Sequence, residues 1–269
     1  MIREIDEKLA RSLTAETTEL LPFLPYLLQD LWELGSNPRD MIGLMKKHMP
    51  APTKDAKVLD LACGKGAVAV NVAKELDVNV YGFDLLPEFI DYGTAKAQEL
   101  GVNTLCHFVV GDVNEIVATQ KDYDCTIFGA AGNILGNPRE TLEKLRETVK
   151  PGGFIIIDEA YLPDDGNGKD VKYQNYEYLH RGQWLRLFAD CGLTLVEELA
   201  NVEGYDFDAD NRAIAARAEE LIAKYPDKRG IFEGYVQSQL NEVDDLENSV
   251  VAVTWMLRNC TNDATIILQ

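Results

Sequence analysis

The chain has few basic residues for its length of 269. It contains 26 Lys+Arg against 45 Asp+Glu, so its formal charge at pH 7 is −19. A surface this acidic repels phosphate backbones and anionic lipid headgroups over about a Debye length. We therefore expect neither nucleic acid nor a membrane as a partner of this protein.

The sequence also lacks cysteine pairs at metal-ligand spacing. Its five cysteines are scattered and odd in number, without a Cys-x-x-Cys pair or a histidine at zinc-ligand spacing. They are Cys63, Cys106, Cys125, Cys191 and Cys260. This usage predicts reduced thiols, no metal site and a cytoplasmic location.

A third absence concerns targeting segments. The N-terminal stretch MIREIDEKLARS has no cationic start followed by an apolar run, and no window of about 20 apolar residues occurs in the chain. We expect neither a secretion signal nor a transmembrane helix. A homodimer is compatible with this composition.

What the sequence does contain is an alternation of strand and helix patterns. From Lys57 onward, short β-rich runs alternate with helical segments, as in βαβ units with a parallel sheet. The predicted strands are 57–61, 78–83, 104–111, 122–129, 153–162, 193–200 and 249–259. The predicted helices between them are 66–76, 87–100, 138–150 and 181–191. The final run ATIILQ is a candidate edge strand.

Two segments depart from this alternation. Residues 1–50 mix charged and apolar positions at helical spacing and are interrupted by prolines, which predicts a cap of two or three short helices. Residues 207–247 read as two or more further helices before the last main strand. We therefore divide the chain into an N-terminal helical cap, 1–50, and a main domain, 51–269, with a helical insertion at about 205–248.

The strongest local signal is a glycine-rich turn between the first strand and the first helix. The segment Val58–Gly66 reads VLDLACGKG, and its glycines permit a tight reversal and close approach of a ligand to the main chain. The same turn also satisfies the G-x-G-x-x-A pattern of dinucleotide-binding folds. Asp60 favours a cationic ligand instead, because a carboxylate there would repel a pyrophosphate and attract ammonium and sulfonium centres.

Three acids close three successive strands at their carboxyl ends, the edge where open α/β sheets bind ligands. Asp60 precedes the glycine turn, Asp84 suits the two hydroxyls of a ribose, and Asp112 suits an adenine amino group. Each has a simpler alternative: Asp60 satisfies loop amides, Asp84 caps a helix, or Asp112 caps the turn after it. Three such placements together predict an adenosyl ligand.

These motifs resemble those of the class I S-adenosylmethionine-dependent methyltransferases, whose first motif has the form of LDLACGKG here. The resemblance covers about residues 55–200 and the late strand 249–259. It implies a doubly wound, mostly parallel, seven-stranded Rossmann-like sheet whose last strand is antiparallel, with S-adenosylmethionine as cofactor. It assigns cofactor contacts to Asp60, Ala62, Gly64, Gly66, Asp84, Leu85, Gly111, Asp112, Val113, Gly129 and Ala130.

The acceptor is not identified by any motif. The Asn-Pro-Pro-aromatic signature of base methylation and a Pro-Cys nucleophile pair are both absent. With the acidic charge, these absences favour a small-molecule acceptor. In-line transfer requires alignment more than a dedicated residue, and Glu159 and His180 are the candidate bases because both follow the fifth strand.

Other features leave the substrate and the activity open. A group of tyrosines is suited either to line a pocket near a cationic centre or to pack in the core. They are Tyr161, Tyr173, Tyr176 and Tyr178. Two further functions compete with methyl transfer: an NAD(P)-dependent oxidoreductase with a dinucleotide-binding fold, and a non-catalytic cofactor-binding module.

Overall fold

A computed structural model describes residues 2–50, 55–163, 171–173, 176, 178–200 and 207–260. The strands are β1 (Lys57–Leu61), β2 (Asn79–Asp84), β3 (Cys106–Val110), β4 (Tyr123–Phe128), β5 (Val149–Leu162), β6 (Leu179–His180), β7 (Leu193–Ala200) and β8 (Val251–Asn259). They form one sheet with the order β3-β2-β1-β4-β5-β8-β7, and the short β6 pairs with β5.

Ten α-helices flank or cover this sheet in the described ranges. They are α1 (Ile2–Ser12), α2 (Leu24–Leu27), α3 (Pro38–His48), α4 (Ala67–Leu76), α5 (Pro87–Glu99), α6 (Val113–Thr119), α7 (Pro138–Thr148), α8 (Arg181–Asp190), α9 (Phe207–Lys224) and α10 (Arg229–Asn248). A 3₁₀ helix, Thr18–Phe23, leads into α2. Every helix in these ranges is too short or too polar to span a bilayer.

The sheet is mostly parallel and doubly wound. Strands β1 to β5 pair in parallel, whereas β8 runs antiparallel to both β5 and β7. One hydrophobic cluster packs α6, α7 and α8 on one face, and another packs α3 and α4 on the other. The predicted fold is therefore confirmed, with β6 as an eighth, two-residue strand beyond the seven.

The largest differences from the predicted elements, beyond shifts of one or two residues at the ends, occur in three places. The strand predicted from residue 153 begins at Val149, because Val149 pairs with Tyr123 before a register shift that the Pro-Gly-Gly segment permits. Helix α7 consequently ends at Thr148 instead of residue 150. Helix α6 is not among the predicted helices, because its seven residues are too few to show a clear helical period.

The N-terminal segment and the late helices pack on each other. Leu20, Leu24 and Leu27 share a cluster with Ile214 of α9 and Phe232 of α10. Helix α3 packs against the sheet and α4 instead. The N-terminal segment therefore contributes residues to two hydrophobic clusters. The candidate edge strand ATIILQ lies outside the described residues.

Candidate functional site

The glycine turn after β1 has a left-handed backbone at three positions. Ala62, Gly64 and Gly66 have φ of 57°, 52° and 72°. At Gly66 a Cβ would approach Phe108 Cζ to 2.7 Å, so the turn is also packed tightly against β3. A side chain at Gly66 therefore conflicts with both the backbone and its surroundings.

Asp84 at the end of β2 holds this turn in place. Its Oδ2 accepts a hydrogen bond from the Gly64 N–H at 2.9 Å, and its Oδ1 accepts one from the Leu86 N–H at 3.0 Å. The residue is 7% exposed, and burial raises the pKa of its carboxyl group, although these amides favour the charged form. Asp84 thus joins the glycine turn to the start of α5.

Asp60 is buried at the end of β1 without full hydrogen bonding. The residue is 3% exposed, and its Oδ2 makes no hydrogen bond within the described structure. Burial, together with the nearby charges of Asp84 and Asp158, raises its pKa to about 8. An unpartnered buried carboxyl oxygen is costly, and a cation bound beside it would offset that cost.

Asp112 follows β3 and caps α6. Its Oδ1 accepts a hydrogen bond from the Asn114 N–H at 2.9 Å. The simpler alternative, in which Asp112 caps the turn that follows it, therefore corresponds to a contact in the structure. The carboxyl group nevertheless lines the same cavity as the other two acids.

All three acids share one crevice of about 70 Å³ above the carboxyl ends of the strands. Nine of the eleven predicted cofactor residues line it: Asp60, Ala62, Gly64, Asp84, Leu85, Asp112, Val113, Gly129 and Ala130. The other two predicted residues, Gly66 and Gly111, do not line the crevice. Gly66 supports the turn against Phe108, and the Gly111 N–H donates to the Asp84 carbonyl at 2.9 Å.

Helix α1 covers this crevice, which the sequence did not reveal. Ile5, Lys8 and Leu9 line the cavity from above, although they lie more than 50 positions before the glycine turn. Their spacing identifies a helix with an apolar face but does not say what that face covers.

A larger cavity of about 390 Å³ adjoins the crevice. The two share Ala130 and Ile134 in the segment after β4. The predicted candidate Glu159 lines the larger cavity, where it accepts a hydrogen bond from the Tyr176 hydroxyl. Burial raises the pKa of Glu159 to about 8.

The other candidate base, His180, is not brought to either cavity. It is exposed at the start of α8, and its backbone N–H donates to Gln183 Oε1 at 2.8 Å. The two-residue strand β6 pairs His180 with Leu162 at the end of β5, and His180 lines neither cavity. We correct the prediction on this ground: the position of His180 does not suit a base.

Sequence reasoning missed the neighbouring Asp158. Thr254 Oγ1 of β8 donates to Asp158 Oδ1 at 2.6 Å, whereas Asp158 Oδ2 has no well-formed hydrogen bond. A Cβ at Gly129 would lie 3.1 Å from that Oδ2, so Asp158 adjoins the wall of the crevice. Burial raises its pKa to about 6. The strand pattern marks the fifth strand's exit, but not which acid there faces the crevice.

Lys65 of the glycine turn connects it to the N-terminal segment. Its Nζ is buried and donates to the Leu28 and Leu31 carbonyls at 2.5 and 2.6 Å. Trp32 Nε1 donates to the Lys65 carbonyl at 3.1 Å. These hydrogen bonds thus attach residues 28–32 of the N-terminal segment to the glycine turn.

Replacing Lys65 by Met should loosen this connection. Two carbonyls that accept from a buried ammonium would lose their donor, so we expect the free energy of unfolding to fall by about 1–2 kcal/mol. Amide hydrogen exchange in residues 24–31 should accelerate, since this is the segment that Lys65 fastens. Lys74→Met on α4 is the control, because Lys74 is exposed. Equal exchange in both variants would contradict the proposed role.

The chain resembles known proteins in sequence and in fold. A family model described as "Methyltransferase domain" matches residues 52–202. The uncharacterized protein YjhP of Escherichia coli K12 is 28% identical over 158 residues, which cover 56% of this chain and 62% of YjhP. A probable chloroplastic tocopherol O-methyltransferase of Oryza sativa subsp. japonica is 29% identical over 128 residues, covering 44% of this chain and 35% of that protein. The chain therefore spans less than two thirds of both relatives.

The fold also matches solved structures. A crystal structure of an S-adenosylmethionine-dependent methyltransferase from Geobacter sulfurreducens, in complex with S-adenosyl-L-homocysteine, is 20% identical with a TM-score of 0.69. The match covers 87% of this chain and 96% of that chain. At this identity the likeness concerns the fold.

Proposed function

The chain belongs to the methyltransferase domain family, and from this premise we propose that it transfers a methyl group from S-adenosylmethionine to a small-molecule acceptor. One observation carries the proposal. Asp60, Asp84 and Asp112 close three neighbouring strands and line one crevice around a glycine turn. Such a crevice suits a ligand that has a positive end, a ribose and an adenine.

The residues of the crevice fit this cofactor in a specific way. Asp60 Oδ2 lacks a hydrogen-bond partner, and an ammonium group of the methionine part would supply one. The main chain at Gly64 admits close approach, while Asp84 accepts from the ribose hydroxyls and Asp112 from the adenine amino group. A pyrophosphate next to Asp60 would disfavour the carboxylate, whereas an ammonium group favours it and gains an ion pair, which disfavours the NAD(P)-dependent oxidoreductase.

The cofactor supplies a methyl group bound to a positively charged sulfur, which is reactive toward a nucleophile. The protein's contribution is then alignment and exclusion of water. Helix α1 covers the crevice, and the small Ala130 stands between the crevice and the larger cavity. An acceptor held in the larger cavity reaches the crevice past Ala130, without a dedicated covalent intermediate.

The proposal also includes the cellular location and the substrate class of the enzyme. A cytoplasmic location and a small-molecule substrate are supported by five free cysteines and the formal charge of −19. The relative described as a probable tocopherol O-methyltransferase has a small molecule as its named substrate, which also supports a small-molecule acceptor here. A homodimer stays a prediction.

Isothermal titration calorimetry tests the function through binding and proton release. We expect S-adenosylmethionine and S-adenosylhomocysteine to bind and NAD to give no heat. The free protein holds Asp60 with a pKa of about 8, so this carboxyl group is mostly protonated at pH 7. The ammonium of either ligand favours the carboxylate, and binding should release up to about one proton at pH 7, falling to none well above pH 8.

Titrations in two buffers of different ionisation enthalpy measure that release. Asp60→Asn should abolish it, because the amide cannot ionise, and should weaken binding about tenfold. Binding of NAD in preference to either adenosyl ligand would reject the function. Binding of the cofactor with no turnover across amine, hydroxyl and carboxylate acceptors would instead favour the non-catalytic module.

A further inference from the structure

The larger cavity is lined by more acidic than basic side chains. Six carboxyl groups face it in the described residues, and the two basic side chains, Lys8 and Arg11, both belong to α1. The acids are Glu33, Asp40, Asp158, Glu159, Asp210 and Glu242. Burial leaves Glu159 mostly protonated at pH 7, but the remaining acids still outnumber the two basic side chains, so the cavity favours a cation over an anion as its occupant.

Three polar groups in this cavity are buried without a well-formed hydrogen bond in the described structure, although the Ser36 hydroxyl lies close enough to Asp158 to favour its carboxylate. They are Asp158 Oδ2, the Tyr235 hydroxyl and Asn211 Nδ2. Tyr235 is only 1% exposed. Since an unsatisfied buried polar group is costly, an occupant that satisfies these three groups is favoured. It needs an N–H donor for Asp158 and an oxygen acceptor for Asn211.

Asp158 lies at the end of the cavity that adjoins the cofactor crevice. Its Oδ2 lies close to Gly129, which lines the crevice, and its charge contributes to the raised pKa of Asp60. A donor bound to Asp158 is therefore held next to the place where the methyl group is presented. The other two unpartnered groups lie on α9 and α10, the two long helices before β8.

Aromatic rings complete the wall. Tyr176 and Tyr178 have ring centroids 4.8 Å apart, and both line the cavity. The face of an aromatic ring attracts a cation, and more strongly when the cation is removed from water. The wall thus adds to the preference that the carboxyl groups establish.

We infer that the methyl acceptor is a primary or secondary amine, which enters as an ammonium ion and binds Asp158. This inference rests on the proposed function. The ammonium gives one proton to the Asp158 carboxylate, and the freed nitrogen lone pair forms the N–C bond while the C–S bond breaks and its electron pair goes to sulfur. The products are the methylated ammonium ion and neutral-sulfur S-adenosylhomocysteine.

Three probes that share an indole ring test the charge preference: tryptamine, tryptophol and indole-3-acetate. They are titrated by calorimetry into the full chain saturated with S-adenosylhomocysteine. We expect tryptamine to bind at least about tenfold more tightly than the other two. Asp158→Asn should remove most of this preference while S-adenosylhomocysteine affinity stays within about threefold, which separates the acceptor site from the cofactor site.

Two further variants serve as comparisons for Asp158→Asn. Tyr235→Phe removes an unpartnered but uncharged hydroxyl and should weaken tryptamine binding by less than Asp158→Asn does. Glu143→Gln, exposed on α7, removes one charge outside both cavities and should leave the preference intact. Equal or tighter binding of indole-3-acetate, or no binding of any probe, would overturn the amine assignment alone. Failure of S-adenosylhomocysteine to bind would overturn the proposed function as well.

Discussion

Asp84→Asn should weaken binding of S-adenosylmethionine by about a hundredfold or more. The carboxyl group accepts from both the Gly64 and Leu86 amides, and an asparagine amide must turn its own N–H₂ toward one of them. One backbone N–H, that of Gly64 or Leu86, then faces the asparagine N–H₂ group, so two donors meet without an acceptor. The ribose hydroxyls lose a charged acceptor at the same time, so a total of about 3 kcal/mol is expected.

The matched control is Asp91→Asn, which removes the same charge from an exposed position on α5. Calorimetric affinity for S-adenosylhomocysteine is the primary measurement, and circular dichroism shows whether each variant is folded. Wild-type affinity in a folded Asp84→Asn protein would remove Asp84 from the proposed site. A similar loss in Asp91→Asn would attribute the effect to overall charge.

Gly66→Ala should lower the free energy of unfolding by about 2–5 kcal/mol. A left-handed backbone costs an alanine about 1–2 kcal/mol, and overpacking costs about 1–3 kcal/mol more. The added Cβ would meet Phe108 Cζ at 2.7 Å and the Gly93 Cα at 3.2 Å. Because Gly66 ends the turn that positions Gly64, cofactor binding should also be lost.

Gly101→Ala separates these two causes. Gly101 has the same φ of +72° as Gly66, but a Cβ there has nothing within 4 Å. It should therefore show only the backbone cost, about 1–2 kcal/mol. Urea denaturation measures both variants, and the double variant Gly66→Ala/Phe108→Leu should recover part of the packing loss. Equal losses at Gly66 and Gly101 would mean that the contact with Phe108 does not matter.

Much of the candidate site was accessible from the sequence for a general reason. In a parallel sheet the carboxyl ends of successive strands meet at one edge, so acids placed there converge whatever the details of packing. Asp60, Asp84 and Asp112 follow strands that the residue pattern marks clearly, and they do line one crevice. The glycine turn needs only its own backbone geometry to be recognised.

Boundaries were less predictable where pairing overrides local preference. Val149 and Lys150 continue a helical pattern in sequence, but Val149 pairs with Tyr123 and joins β5. His180 shows the same limit at the site. Its position after the fifth strand predicted a base, but it pairs with Leu162 at the end of β5 and lines neither cavity.

The sequence by itself determined the fold and the crevice, because alternating elements, a glycine turn and acids at strand ends are local features with a fixed consequence for the sheet. Only the tertiary structure decided what covers the crevice and what faces the acceptor. Lys65 meets Leu31 across 34 positions, and Asp158 meets Thr254 across 96. Contacts at such separations arise from packing between distant elements, which no local pattern encodes.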